Sequence, residues 1–231
     1  MSRKLFVVSD VHGHFAALME ALYDAGFDRT NEDHIFVCCG DLFDRGTSNA
    51  LVYDFVRSLE RKILLRGNHE DMLLKLLYTG KVLPHHYING TMQTMTDFFG
   101  KFSIDPADDT VDFSGKTSNI NWLCEFIEST QDYFETGHYV FVHGWLPDGD
   151  YRTADKESWE KARWIKWIHA YTGQPPIPEK TLVCGHYPTF FAETHCGKGN
   201  ADIFRGNGLI AIDAGTYSSG QVNVLVLEDE V

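Results

Sequence analysis

The chain has 231 residues, 43% hydrophobic and 23% charged, values of a globular protein able to bury one sizeable core, so one domain over residues 1–231 is expected. A formal net charge of −13 opposes binding to a phosphate backbone and excludes nucleic acid as a standing partner. The apolar run Leu5 to Val8 is too short for a signal-peptide core or a membrane span, and the five cysteines form no CxxC pair. A cytoplasmic protein with no membrane partner, no disulfide framework and no structural zinc site is expected.

In chain order, LFVV (5 to 8) predicts a buried strand and is followed by SDVHGH. AALMEALYDAG (16 to 26) has a helical pattern with Gly26 as its cap. A second strand, IFVCC (35 to 39), runs into GDLFDRG, and a second helical pattern covers residues 50 to 60. A third strand, KILL (62 to 65), precedes RGNHED. Strand, helix, strand, helix, strand implies a right-handed parallel α/β core. Residues 71 to 135 read mostly as helix, with INWLCEFIES (120 to 129) amphipathic. YVFV (139 to 142) leads into HGW, and TLVC (181 to 184), entered through the rigid loop GQPPIP (173 to 178), leads into GHYP. Near the end, GLIAI and VNVLVL flank a small-residue loop and predict an antiparallel hairpin in a second sheet packed on the first.

Each of the five buried strands therefore ends in a ligand-type residue beside glycine. In open α/β sheets the carboxyl ends of the strands line the ligand crevice, so these loops should converge, with glycine allowing close backbone approach. Asp10 and His12 stand two apart, and an extended backbone would point both toward one ion. Asp41 is placed to bridge two ions, with Asn68, His143 and His186 completing the shell of the second ion. Two carboxylates against two divalent cations leave a net positive site that binds phosphate and acidifies a bridging water. The nitrogen and oxygen donor set without thiolate suits manganese, iron or zinc better than magnesium or calcium. His69, directly after Asn68, is assigned as the general acid for the leaving oxygen, and Asp44 is the candidate that orients it. Arg45 offers a bidentate fork to phosphate; Arg66 is either a second such group or a structural arginine.

In order and spacing, SDVHGH, GDLFDRG, RGNHE, HGW and GHYP resemble the motifs of the calcineurin-like metallophosphoesterases. More narrowly they are similar to the phosphoprotein phosphatase branch, with its GDxHG, GDxxDRG and GNHE signatures, and to the lambda-type serine/threonine protein phosphatases of bacteria and phages. Ser9 departs from the glycine of many members. The resemblance implies a four-layer α/β/β/α fold, two central mixed sheets flanked by helices, with a dinuclear metal centre at the sheet edge. It implies the ligand and acid roles above for the matching residues, phosphate contact by Arg45 and by Arg163 in WEKARW, and a phosphoprotein or phosphopeptide as substrate.

A single histidine is more often a hydrogen-bonded core residue than a ligand; five ordered motifs, two of them long, make coincidence a poor account. Glu70 reads as structural, and His14 as a helix cap or a solvated side chain. HHYINGTMQT (85 to 94) reads first as a helix start and second as a border of the substrate groove, and Tyr217 is a loop tyrosine that could overhang the metals. HCGKGNAD (195 to 202) imitates a cysteine-phosphatase loop, but Asp202 stands where that chemistry needs arginine. The leading expectation is hydrolysis of phosphoserine or phosphothreonine, with phosphotyrosine also admitted. A bis(5'-nucleosyl)-tetraphosphatase is the nearest alternative, disfavoured because Asp44, Arg45 and Gly46 keep the DRG triplet; a non-catalytic metal-binding scaffold is disfavoured because no ligand is lost.

Overall fold

A computed structural model of the protein describes residues 2–113, 117–192 and 200–230. The elements are β1 (Ser2–Val8), α1 (Phe15–Asp24), β2 (His34–Cys38), α2 (Asn49–Ser58), β3 (Lys62–Leu64), α3 (Asn68–Thr79), α4 (Pro84–Ile88), α5 (Thr91–Phe99), β4 (Ile104–Asp105), β5 (Thr110–Val111) and α6 (Thr117–Glu128), followed by β6 (Tyr133–Glu135), β7 (Tyr139–Val142), α7 (Lys156–Ala162), α8 (Trp167–Ala170), β8 (Thr181–Cys184), β9 (Phe204–Gly206), β10 (Leu209–Ala211), α9 (Thr216–Ser219) and β11 (Leu225–Glu230). The HCGKGNAD segment lies largely outside the described residues.

Successive strand side chains point to opposite faces, and the apolar runs use that to build three cores at once. Leu5, Val7, Ile35 and Val37 face inward and meet Phe141, Val183 and Ile210 of the second sheet. Their neighbours Phe6, Val8, Phe36 and Cys38 face outward and pack on residues of α1, α2, α3, α5 and α6. On the far side Val140, Val142, Leu182 and Cys184 pack on Trp159, Ala162 and Trp167. Helices, sheet, sheet and helices thus form four layers. A strand covered on both faces has no position for a polar side chain, which is why these runs are unbroken in the sequence.

The first sheet has the order β11-β1-β2-β3 and the second β6-β7-β8-β10-β9. β1, β2 and β3 are mutually parallel, as are β7, β8 and β10. The predicted C-terminal hairpin does not form. β10 instead joins β8 in the second sheet, while β11 crosses to the first and runs antiparallel to β1 from Ser2↔Glu230 to Val7↔Leu225. Without β11, one side of β1 would present unpaired N–H and C=O groups, and covering that edge outweighs local pairing across the loop. Gly26 sits at φ +78 just past α1, the left-handed helix-ending position expected of it. The described cysteines, Cys38, Cys39, Cys124 and Cys184, are free and buried. No helix of the described residues is long and apolar enough to cross a membrane.

Candidate metal centre

The loops after β1, β2, β3, β7 and β8 meet at the carboxyl edge of the two sheets. Among the described residues, six of the eight non-glycine positions with positive φ lie in them: Asp10, His12, Asp41, Asp44, Arg45 and His186. Such backbone persists only where the surroundings over-determine it. Asp10 (φ 52) and His12 (φ 49) therefore do not approach each other along an extended strand. Two left-handed residues curl the loop, and Asp10 Oδ1 still comes within 3.9 Å of His12 Nε2.

Asp41 sits at the centre. Its Oδ2 lies 3.6 Å from His12 Nε2, and its Oδ1 lies 3.5 Å from His143 Nε2. Two groups of donor atoms share it, one with His12 and His69 and one with His143 and His186, each within 4.8 Å. Asp10, His12, Asp41, Asn68 and His143 are all buried and His186 is half-buried. The second nitrogens of two imidazoles are pinned: His12 Nδ1 is 2.8 Å from the Phe43 carbonyl and His143 Nδ1 is 2.8 Å from that of Cys39. Donation to those carbonyls leaves each Nε2 with a lone pair toward the centre. His143 Nε2 then stands 2.8 Å from Asn68 Oδ1, an acceptor facing an acceptor. A cation held by both residues would satisfy that contact.

The electrostatics agree. Burial, then the neighbouring His69 and other cations, depresses the proton affinity of His12; burial and His143 push His186 down to about 3, so both imidazoles are neutral and free to ligate. Burial lifts Asp41 well above the usual carboxylate range, with Asp10 and Glu70 adding to the lift and His69 only partly opposing it. Acids that raise one another in a dry site call for positive charge. The donor set therefore fits two divalent cations.

His69 is 2% exposed, and its Nδ1 is 2.8 Å from Asp44 Oδ2, itself fully buried. Burial disfavours the charged ring, but Asp41 and Asp44 outweigh it and its proton affinity is raised. Its Nε2 lies 3.9 Å from Asp41 and 3.3 Å from Arg45 Nη2, and the exposed Arg45 guanidinium rests 4.7 Å over the Tyr217 ring. Arg163, expected on phosphate, and Arg66, read as either a phosphate group or a structural arginine, both have partners within the protein. Arg163 is 2% exposed and is bound by Asp71 at 2.6 Å and by Asp132, while Arg66 donates to the Ile127 carbonyl at 2.7 Å and to Thr130 at 3.0 Å. Their donors are engaged mainly by the protein.

Glu70 behaves as the structural residue expected, accepting the backbone N–H of Asp41, Leu42 and Gly67. His14 precedes α1 but makes no capping bond. Two participants were not foreseen. Ser9 donates to Asp10 Oδ2 at 2.5 Å, and that oxygen also accepts the His186 N–H. Asp213, between buried Ile212 and Ala214, is lifted by burial and by Asp10, and an acid inside an apolar run was its only signal in the sequence. From Asn68 the centre opens onto a groove of about 740 Å³ lined by Met72, Tyr78, His85, Lys156 and Trp164.

A four-layer fold carrying such a site defines a metal-dependent phosphoesterase. Residues 3–214 match the family model described as calcineurin-like phosphoesterase, and the chain belongs to that family. It is 37% identical over 76 residues to the symmetrical bis(5'-nucleosyl)-tetraphosphatase of Coxiella burnetii, covering 33% of this chain and 25% of that protein. To serine/threonine-protein phosphatase 1 of Salmonella typhimurium it is 38% identical over 72 residues, 31% of this chain and 32% of that one. The matches thus span about a third or less of those relatives. A solved structure assigned as a diadenosine tetraphosphatase shares the fold at 14% identity and TM-score 0.62, covering 99% of this chain and 94% of the other.

Proposed function

We propose that this phosphoesterase hydrolyses phosphomonoesters of serine and threonine in proteins, using Asp10, His12, Asp41, Asn68, His143 and His186 to hold two divalent cations, manganese first and iron or zinc as alternatives. When bound, the cations supply Lewis acidity toward phosphate oxygens and acidify the attacking water. Arg45, an exposed fork beside His69, binds and orients the phosphoryl oxygens. His69, whose charged form Asp41 and Asp44 favour, gives its Nε2 proton to the departing oxygen, and Asp44 on Nδ1 orients and stabilises the protonated ring until then. Arg66 and Arg163 reach phosphate only by giving up Thr130, Asp71 or Asp132, so in this reading they act first as supports for the loop that carries Asn68.

The observation that carries the substrate class is the intact, buried Asp44–His69 pair. A serine or threonine alkoxide is a poor leaving group and needs a proton as it departs. A nucleotide phosphate leaves readily and needs none. The deciding experiment incubates the manganese-loaded protein with a phosphoserine peptide and with diadenosine tetraphosphate at equal concentration. Faster peptide hydrolysis supports the reading; preference for the tetraphosphate replaces it with nucleotide hydrolysis.

A further inference from the structure

Asp44 has more partners than a lone orienting carboxylate requires. Besides His69, its Oδ2 accepts the Thr91 hydroxyl at 2.8 Å, and its Oδ1 accepts the Thr94 hydroxyl at 2.7 Å. Asp44, Thr91 and Thr94 are all fully buried, so no water competes for these oxygens. Thr94 also closes a ring, its Oγ1 accepting the Asp44 N–H at 3.1 Å, and Asn49 Oδ1 accepts the same N–H at 2.9 Å. Both threonines lie in the first turn of α5, which reaches the loop from nearly fifty residues away.

The same turn holds the backbone beneath the site. Asp44 and Arg45 are consecutive left-handed residues, at φ 73 and 62. The Arg45 N–H donates to the Asn89 carbonyl at 3.0 Å, and Gly90 approaches so closely that a Cβ there would stand 2.6 Å from Arg45 N. An aspartate carboxylate left to itself rotates broadly about its last torsion and can offer either oxygen to a partner. With Thr94 on Oδ1 and Thr91 on Oδ2, a single orientation remains. That orientation faces His69 Nδ1 and leaves Nε2 directed at Asp41 and the mouth.

We infer that Thr91 and Thr94 are positioning residues for proton donation: their hydroxyls lock Asp44 in the orientation that presents His69 to the leaving oxygen. The inference rests on reading His69 as the acid, and the test separates the two. The full-length, manganese-loaded Thr91→Val and Thr94→Val variants, their serine counterparts and His69→Ala are compared on a series of aryl phosphates from nitrophenyl to phenyl. The valine variants are expected to lose about tenfold or more in kcat on phenyl phosphate, with a much smaller loss on nitrophenyl phosphate, and KM and manganese content unchanged. Serine restores the rate. Combining Thr94→Val with His69→Ala should cost no more than His69→Ala alone, because both act on one step.

Melting curves check folding. Where a valine variant fails to fold, the alanine variant, which leaves room for water but no fixed hydroxyl, is read in the same way. Equal loss on all leaving groups, loss of manganese, absence of serine rescue or additivity with His69→Ala overturns the positioning role alone, provided His69→Ala itself shows the leaving-group dependence. If His69→Ala shows none, the acid assignment and the positioning role fall together.

Discussion

The two edges of the paired sheets hold similar residues in opposite electrostatic states. At the carboxyl edge Asp10, Asp41 and Asp213 are buried among one another, and Asp41 and Asp213 are raised. At the amino edge Glu135 and Asp229 are matched. Glu135 binds Arg152 at 3.0 Å through Nε and Lys180 at 2.9 Å, which holds its carboxyl down at about 2. Asp229 accepts Thr136 at 2.5 Å and faces His138 at 2.9 Å, tying β11 to the turn before β7. At one edge these acids are neutralised by the chain itself; the other edge is left short of positive charge, which is where the proposed metal chemistry is placed.

The contrast can be broken most severely at Asp41. Asp41→Asn should lower manganese binding at both positions by more than about a hundredfold and reduce hydrolysis to background, while the metal-free protein melts no lower than the parent. Elemental analysis and calorimetry read both, and a variant with a full metal complement would end the bridging role. His69→Ala comes next, with a loss of about 10²- to 10⁴-fold on poor leaving groups and unchanged metal content. Metal loss there would make His69 a ligand instead.

Ser9→Gly is a finer probe. It removes the hydroxyl from Asp10 Oδ2, and manganese affinity should fall by roughly tenfold, measurable by titration of the metal-free protein. The smallest effect belongs to the other edge. Glu135 has a depressed folded pKa, so its stabilising contribution is present above its ordinary value of 4.5 and disappears as pH falls toward about 2. Glu135→Gln should melt slightly earlier at neutral pH, flatten the loss of stability between those limits, and leave kcat untouched. A change in kcat would contradict the separation of the two edges.

Much of the candidate centre was readable because each candidate ligand loop follows a run that reads as a strand buried on both faces. Asp10, Asp41, Asn68, His143 and His186 needed only the rule that strand ends converge. Thr91 and Thr94 were out of reach, because nothing around them marks a hydroxyl destined for Asp44. The 85 to 94 segment was read chiefly as a helix start, which α5 confirms, but its bearing on the acid pair depends on how α5 packs. Arg163 and Arg66 look alike in sequence whether they meet phosphate or carboxylate. The route from Asp10 to His12 was misjudged because left-handed backbone at a non-glycine residue leaves no trace in residue type.

The residue order alone was enough for the layered α/β architecture, the meeting of the candidate ligands and the phosphoesterase class, since burial on both faces and metal chemistry each restrict which side chains are tolerated. Three things waited on folding: the splitting of β10 and β11 between sheets, the orientation of Asp44, and the partners of the buried arginines. Each depends on which groups are left unpaired once distant segments pack, and that is a property of the assembled core rather than of any local stretch of chain.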